Sequence, residues 1–127
     1  MSGHFAKIAY TPGVRAMQRR YNGREVPAGA NDVPELGPRE RQFIAARDSF
    51  YLATIGETGW PHVQHRGGTA GFIKVLDSGT LAFADYGGNR QFVSVGNLQD
   101  NPRAALILVD YPNRRRLQLL GTVAAVD

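Results

Sequence analysis

The run Phe50-Tyr-Leu-Ala-Thr-Ile55, followed by Gly56-Glu-Thr-Gly59 and then Pro61-His-Val-Gln-His-Arg66, reads as a β-hairpin. Its first limb is rich in aromatic and β-branched residues, and the two glycines give the backbone freedom that a tight reversal needs. On the second limb alternate side chains share a face, so His62, Gln64 and Arg66 lie together and Val63 lies with His65. Assigning Val63 to the core predicts that His62, Gln64 and Arg66 form a polar outer surface.

The strand pattern continues downstream of this hairpin. Gly71-Phe-Ile-Lys-Val-Leu76 and Thr80-Leu-Ala-Phe-Ala-Asp85 are predicted strands joined by a turn at Asp77-Ser-Gly79. After Tyr86-Gly-Gly-Asn-Arg90 a short helix is predicted, with Phe92, Val95 and Leu98 on one side and Asn101-Pro102 as its stop. Arg103-Ala-Ala-Leu-Ile-Leu-Val-Asp110 is apolar on both faces, which predicts a central or interfacial strand. Tyr111-Pro-Asn-Arg114 then turns the chain into a last strand, residues 116–126. Six strands in hairpin order, with one helix between the fourth and fifth, predict a mainly β fold. It is a small six-stranded antiparallel barrel with short flanking helices. Closing such a barrel hides strand edges that would otherwise be exposed.

Upstream the periodicity changes. Residues 38–47 read as a helix begun by Pro38, with Phe43, Ile44 and Ala46 for its buried stripe. Residues 11–21 predict another short helix with Pro12 in its first turn. Asn22-Gly23, Pro27 and Val33-Pro34 break any pattern between them, so residues 22–37 are expected as an extended arm without a core of its own. The expected division is an N-terminal arm, residues 1–36, and a barrel domain, residues 37–127.

Composition narrows the function classes. No stretch approaches the roughly 20 apolar residues of a membrane span, and Met1 to Lys7 lacks the apolar core of a secretory signal, so a cytoplasmic protein is expected. The absence of cysteine excludes disulfides, thiolate metal sites and thiol catalysis. His62 and His65 have no third ligand at suitable spacing, so no metal is expected. The net charge is +4, and only Lys7 and Lys74 among the basic residues are not arginine. Arginine favours bidentate contact with phosphate, which suits an anionic cofactor or nucleic acid.

Three segments can carry chemistry. In Phe83-Ala-Asp-Tyr-Gly-Gly-Asn-Arg-Gln-Phe92 the glycines allow close backbone approach, Asn89 can cap the following helix, and Arg90 adds charge where helix N–H groups would meet a phosphate. By themselves these residues also read as an ordinary turn with a solvated arginine. Arg66, followed by Gly67 and Gly68, leaves bare backbone on which a flat ring could lie, although a solvated Arg66 and a hydrogen-bonded His65 explain it too. Arg114-Arg-Arg116 could meet cofactor or nucleic-acid phosphates, or be a solvated turn end. No interleaved aromatic residues accompany it, which argues against nucleic acid. No nucleophile elbow, phosphate loop or Gly-x-Gly-x-x-Gly is present, so no catalytic residue is assigned and any chemistry falls to a cofactor.

Taken in order, the helix, the Phe50–Ile55 strand, Gly59-x-Pro61, Phe83-Ala-Asp-Tyr-Gly-x-Asn-Arg90, Asn101-Pro102-Arg103 and Arg115-Arg-Leu-Gln-Leu-Leu-Gly121 resemble the pyridoxamine 5′-phosphate oxidase-related split barrels, which bind flavin mononucleotide (FMN). The resemblance covers roughly residues 38–126. It implies a homodimer with FMN in grooves between the subunits, acting as an oxidoreductase on a small molecule. It implies that Arg90 and Gln91 contact the flavin phosphate, and that Phe83, Ala84 and Asp85 line the flavin. Arg66, or Lys74 in its place, would add a further cofactor contact, and Arg116 stands where the family often has a cofactor-reaching glutamine. Gln91 departs from the lysine usual beside that arginine. The chain is expected to lack the segment with which the oxidase holds pyridoxine phosphate, because it stops at Asp127. The same family includes deazaflavin (F420) users and haem-handling relatives, so a non-catalytic module binding FMN, F420 or haem is the alternative.

Overall fold

The computed structural model describes residues 5–27, 35–84 and 93–125. In chain order the elements are α1 (Phe5–Ala9), α2 (Pro12–Asn22), α3 (Pro38–Ala45), β1 (Ser49–Ile55), β2 (Pro61–Gly67), β3 (Lys74–Asp77), β4 (Thr80–Ala82), α4 (Val93–Asp100), β5 (Arg103–Asp110) and β6 (Arg115–Thr122). The strands form a four-stranded antiparallel sheet in the order β2-β1-β5-β6 and a separate β3-β4 hairpin. Sheet, hairpin and helices enclose one apolar core, the layout of a split barrel. Residues 103–110 form a central strand as expected, flanked by β1 and β6.

The turns follow local chemistry. Gly59 adopts φ +83° in the β1-β2 connection, where the Gly56 N–H donates to the Trp60 carbonyl at 3.0 Å. Between β3 and β4 the Gly79 N–H donates to Asp77 Oδ1 at 2.8 Å, an Asx turn. Between β5 and β6, Arg114 takes the left-handed conformation at φ 54°, and Asn113 Nδ2 donates to Asp110 Oδ2 at 2.9 Å.

The core centres on Phe50, Leu52, Leu106, Leu108 and Leu119, joined by Ile44 of α3, Ile73 before β3 and Leu36. Each such side chain contributes about 1.5–3 kcal/mol by leaving water. Leu36 belongs to this core, and its N–H donates to the Ser78 carbonyl at 2.8 Å. The first residues also touch the body: α1 packs against β6 and buries Ala6. Leu36, at the end of the stretch expected as an extended arm, thus lies on the body, and the helix at Phe5–Ala9 was not expected. A helix of five residues carries too few side chains to show a period in sequence.

The main correction concerns β2. His62, Gln64 and Arg66 face inward and are half-buried, whereas Val63 is 62% exposed. Register explains the reversal. Arg66, Gln64 and His62 stand opposite Phe50, Leu52 and Thr54, and residues directly opposite in a ladder share a face. Buried Phe50 and Leu52 fix that face as the inside, so one apolar residue on β2 could not set its parity. Boundaries moved as well. β3 begins at Lys74 because Gly71 turns at φ +85° and the Phe72 N–H donates to the Thr69 carbonyl at 2.9 Å. The strand expected to reach Asp85 is assigned as far as Ala82, and Asp85 lies outside the described residues. The last strand runs 115–122 rather than 116–126, and α3 ends at Ala45.

Candidate functional site

The inner face of β2 brings polar groups against an otherwise apolar wall. Arg66 lies across the ladder from Phe50, whose ring meets Phe83 edge-on at 4.9 Å and Phe72 in a stacked geometry at 5.9 Å. Helix α4 closes the same region from above. Ser94, fully buried in its first turn, donates from Oγ to Gln64 Oε1 at 2.7 Å. Asn97, one turn on, donates from Nδ2 to Thr54 Oγ1 at 3.0 Å. Thr54 is itself buried, so this bond satisfies a hydroxyl shielded from water.

These contacts frame the segment between β4 and α4. On its N-terminal side Phe83 packs on Phe50, the cross-strand neighbour of Arg66. On its C-terminal side Ser94 holds Gln64, on the same face of the same strand. Asp85, Asn89, Arg90 and Gln91, expected here from the sequence, lie outside the described residues, as does Phe92. Ala84 is exposed.

The other expected residues are dispersed. Lys74 is exposed and pairs with Ala82 on the hairpin, while its neighbours Ile73 and Val75 pack against the core. Arg116 is exposed and stands opposite Val109 on the outer face of the four-stranded sheet. Arg66 faces inward, so one chain holds Arg66 and Arg116 on opposite faces of one sheet. Gly67 and Gly68 have an internal reason for lacking a side chain. A Cβ at Gly68 would stand 2.9 Å from Cγ of Phe72, and one at Gly67 would stand 3.1 Å from Cε1 of His65. The Gly68 N–H also donates to the Asp48 carbonyl at 2.9 Å.

The outer face carries an apolar row beside a mixed one. Cross-strand neighbours place Val63, Ala53, Ala105 and Leu120 in one row, and His65, Tyr51, Ile107 and Gln118 in the next. Val63, Tyr51 and Ile55 are exposed there. Tyr51 meets His65 edge-on at 5.5 Å, and its hydrogen bond with Tyr111 raises the Tyr111 phenol above its ordinary 10.0.

Sequence reasoning missed Ser94 and Asn97, because their partners come from strands far away in the chain. It also missed Arg47 and Asp110. Arg47 Nη2 lies 3.6 Å from Asp110 Oδ2, and both side chains are largely buried. The Arg47 guanidinium covers the Phe43 ring at 4.5 Å, and its Nε donates to the Phe43 carbonyl at 3.1 Å. The pair links the end of α3 to the end of β5.

With this geometry established, comparison with known proteins assigns the family. The pyridoxamine 5′-phosphate oxidase family model matches residues 36–127, well over half of the chain. The chain belongs to that family. No curated protein sequence matches the chain significantly. Among solved structures, it is similar to a Lactobacillus delbrueckii protein provisionally called a pyridoxamine 5′-phosphate oxidase, with a TM-score of 0.54 and 24% identity. That match covers 69% of this chain and 66% of the other, just under two thirds. A histidine-to-alanine variant of HupZ from group A Streptococcus matches with a TM-score of 0.52 and 17% identity, over 68% of this chain and 67% of the other. Both likenesses establish the split-barrel fold. Among the described residues, no helix is long and apolar enough to cross a membrane.

Proposed function

We propose that the chain is a flavoprotein that binds FMN between two copies of itself and oxidises or reduces a small molecule. The observation that carries the reading is the framing of residues 85–92. The two flanks of that segment are anchored side by side on one inner face, Phe83 on Phe50 of β1 and Ser94 on Gln64 of β2. Arg66 stands opposite Phe50, whose ring meets Phe83, so the inner face pairs a cationic side chain with an apolar wall, which fits a molecule with a phosphate and a flat ring. Arg90 and Gln91 would hold the phosphate, with charge added by Arg66 or Lys74. Phe83, Ala84 and Asp85 would line the ring. Bound FMN would supply the redox chemistry, and the protein would supply binding and orientation.

A second copy laid on the outer sheet face explains the dispersal of the basic residues. Arg116 would then reach a groove shared with the partner, which no single chain can form with Arg66 across a packed sheet. The rows through Val63 and Tyr51 would be covered at the same time.

An absorbance spectrum of the purified protein, before and after adding FMN, tests this. Flavin bands that survive gel filtration are expected. A Soret band moves the chain to haem, and a colourless protein that takes up no flavin removes FMN and leaves F420 as the next cofactor to test. Arg90→Ala should weaken FMN binding by about 10- to 100-fold, the loss of one charge-assisted phosphate contact. Equal flavin occupancy in mutant and wild type would remove Arg90 from the site.

A further inference from the structure

The net charge of the chain is segregated. Residues 1–27 hold Lys7, Arg15, Arg19, Arg20 and Arg24 against Glu25 alone, while residues 28–127 hold ten basic and ten acidic residues. The whole net charge of +4 therefore sits on the N-terminal arm. Within it, α2 is a formed helix with no buried residue. Thr11 Oγ1 accepts the Val14 N–H at 3.2 Å at its start, and Gly23, at φ +77°, closes its end. Val14, Met17 and Tyr21 recur at helical spacing on one side and are exposed by 40%, 51% and 75%. Ile8 and Val26, elsewhere on the arm, are exposed as well.

At 3.6 residues per turn, Arg15 and Arg19 project away from that stripe. They pair there with Glu25, at 3.7 Å and 2.8 Å. Arg20 lies beside the stripe, its guanidinium 5.3 Å from the Tyr21 ring centroid. Arg20, beside the apolar residues, has no carboxylate among the ion pairs of the described residues, and Arg24 follows just past the helix end. We propose that α2 is a docking face for an anionic lipid surface, with Val14, Met17 and Tyr21 entering the headgroup boundary and Arg20, Arg24 and Lys7 meeting the headgroup charge.

Three properties favour lipid over other occupants. The helix is mostly polar yet strongly two-sided, the pattern of helices that lie in a membrane interface rather than cross it. A second copy of residues 28–127 carries no net charge to attract the arm. A nucleic acid would engage the cations and leave an aliphatic stripe of valine and methionine without a counterpart.

Co-sedimentation of the whole chain with vesicles tests the proposal, using phosphatidylcholine alone and phosphatidylcholine with about 30 mol % phosphatidylglycerol, a charge density at which basic segments bind. Binding to the anionic vesicles alone is expected, weakening as salt rises. Met17→Asp and the pair Arg20→Glu with Arg24→Glu should each lower the partition at least about tenfold. Val14→Asp serves as a second stripe variant, and circular dichroism should show α2 retained in each. No binding to anionic vesicles overturns the proposal, as does unchanged binding by both stripe variants. Equally tight binding to soluble polyglutamate makes the contact merely electrostatic and overturns it too. Lipid-free self-association that Met17→Asp abolishes assigns the stripe to a second copy instead.

Discussion

Arg47 and Asp110 show how one side chain can join two elements. The Arg47 guanidinium lies over Phe43, donates from Nη1 to the Val109 carbonyl at 3.3 Å and faces the Asp110 carboxylate. Asn113, and then Arg47, hold the Asp110 carboxyl below its ordinary 3.8. A carboxylate with a lowered native pKa stabilises the fold fully above its unfolded value and loses that contribution as pH falls through the native one. The urea midpoint of Asp110→Asn should therefore lie below wild type at pH 7, and the gap should close as pH drops below 3.8. A constant gap down to acid would show that the charge is irrelevant. Gly68 gives a second test at this scale. A methyl placed 2.9 Å from the Phe72 ring must displace a side chain packed on the core, so Gly68→Ala should cost about 1–3 kcal/mol in denaturant titration.

At the scale of elements, α4 is fastened to the sheet by two polar bonds in addition to the packing of Leu98 on the core. Only Ser94 among its residues is fully buried. Removing the Asn97 amide leaves the buried Thr54 hydroxyl without that donor, so Asn97→Ala should cost about 1–3 kcal/mol. Made in Thr54→Val, the same change should cost clearly less, and equal losses in both backgrounds would show that the bond contributes nothing. The strands themselves were legible because their residue types and turn glycines are local signals, as residues 103–110 and Gly59 show. The facing of β2 was not. Its only apolar side chain between Pro61 and Gly67 is Val63, and the decision lies in its pairing with Phe50 and Leu52. The candidate site shares this property: Arg66 and Phe83 were visible as types, whereas the Ser94–Gln64 contact depends on two positions brought together only by the fold.

For the whole molecule, the outer sheet face leaves Tyr51, Ile55 and Val63 exposed together. Isolated exposed hydrophobics are ordinary, but contiguous rows on a sheet mark an interface. For the dimer proposed above, Val63→Asp, on the edge strand β2 of that face, should lower the mass to that of a monomer in sedimentation equilibrium without changing the far-ultraviolet spectrum. An unchanged mass would place the interface elsewhere. The sheet order β2-β1-β5-β6 also has a bearing on how the chain reaches this state. Hairpins β1-β2 and β5-β6 are each closed by a short turn and can form from neighbouring residues, whereas the seam of Tyr51–Ala53 with Ala105–Ile107 joins parts far apart in sequence. Closing that seam costs loop entropy before its contacts repay it, so it is the step expected to set the folding barrier. Defects at Leu52 or Leu106 should slow folding, whereas defects at the far ends of β2 and β6 should chiefly hasten unfolding. On that expectation the four-stranded sheet behaves kinetically as two local halves joined by one encounter.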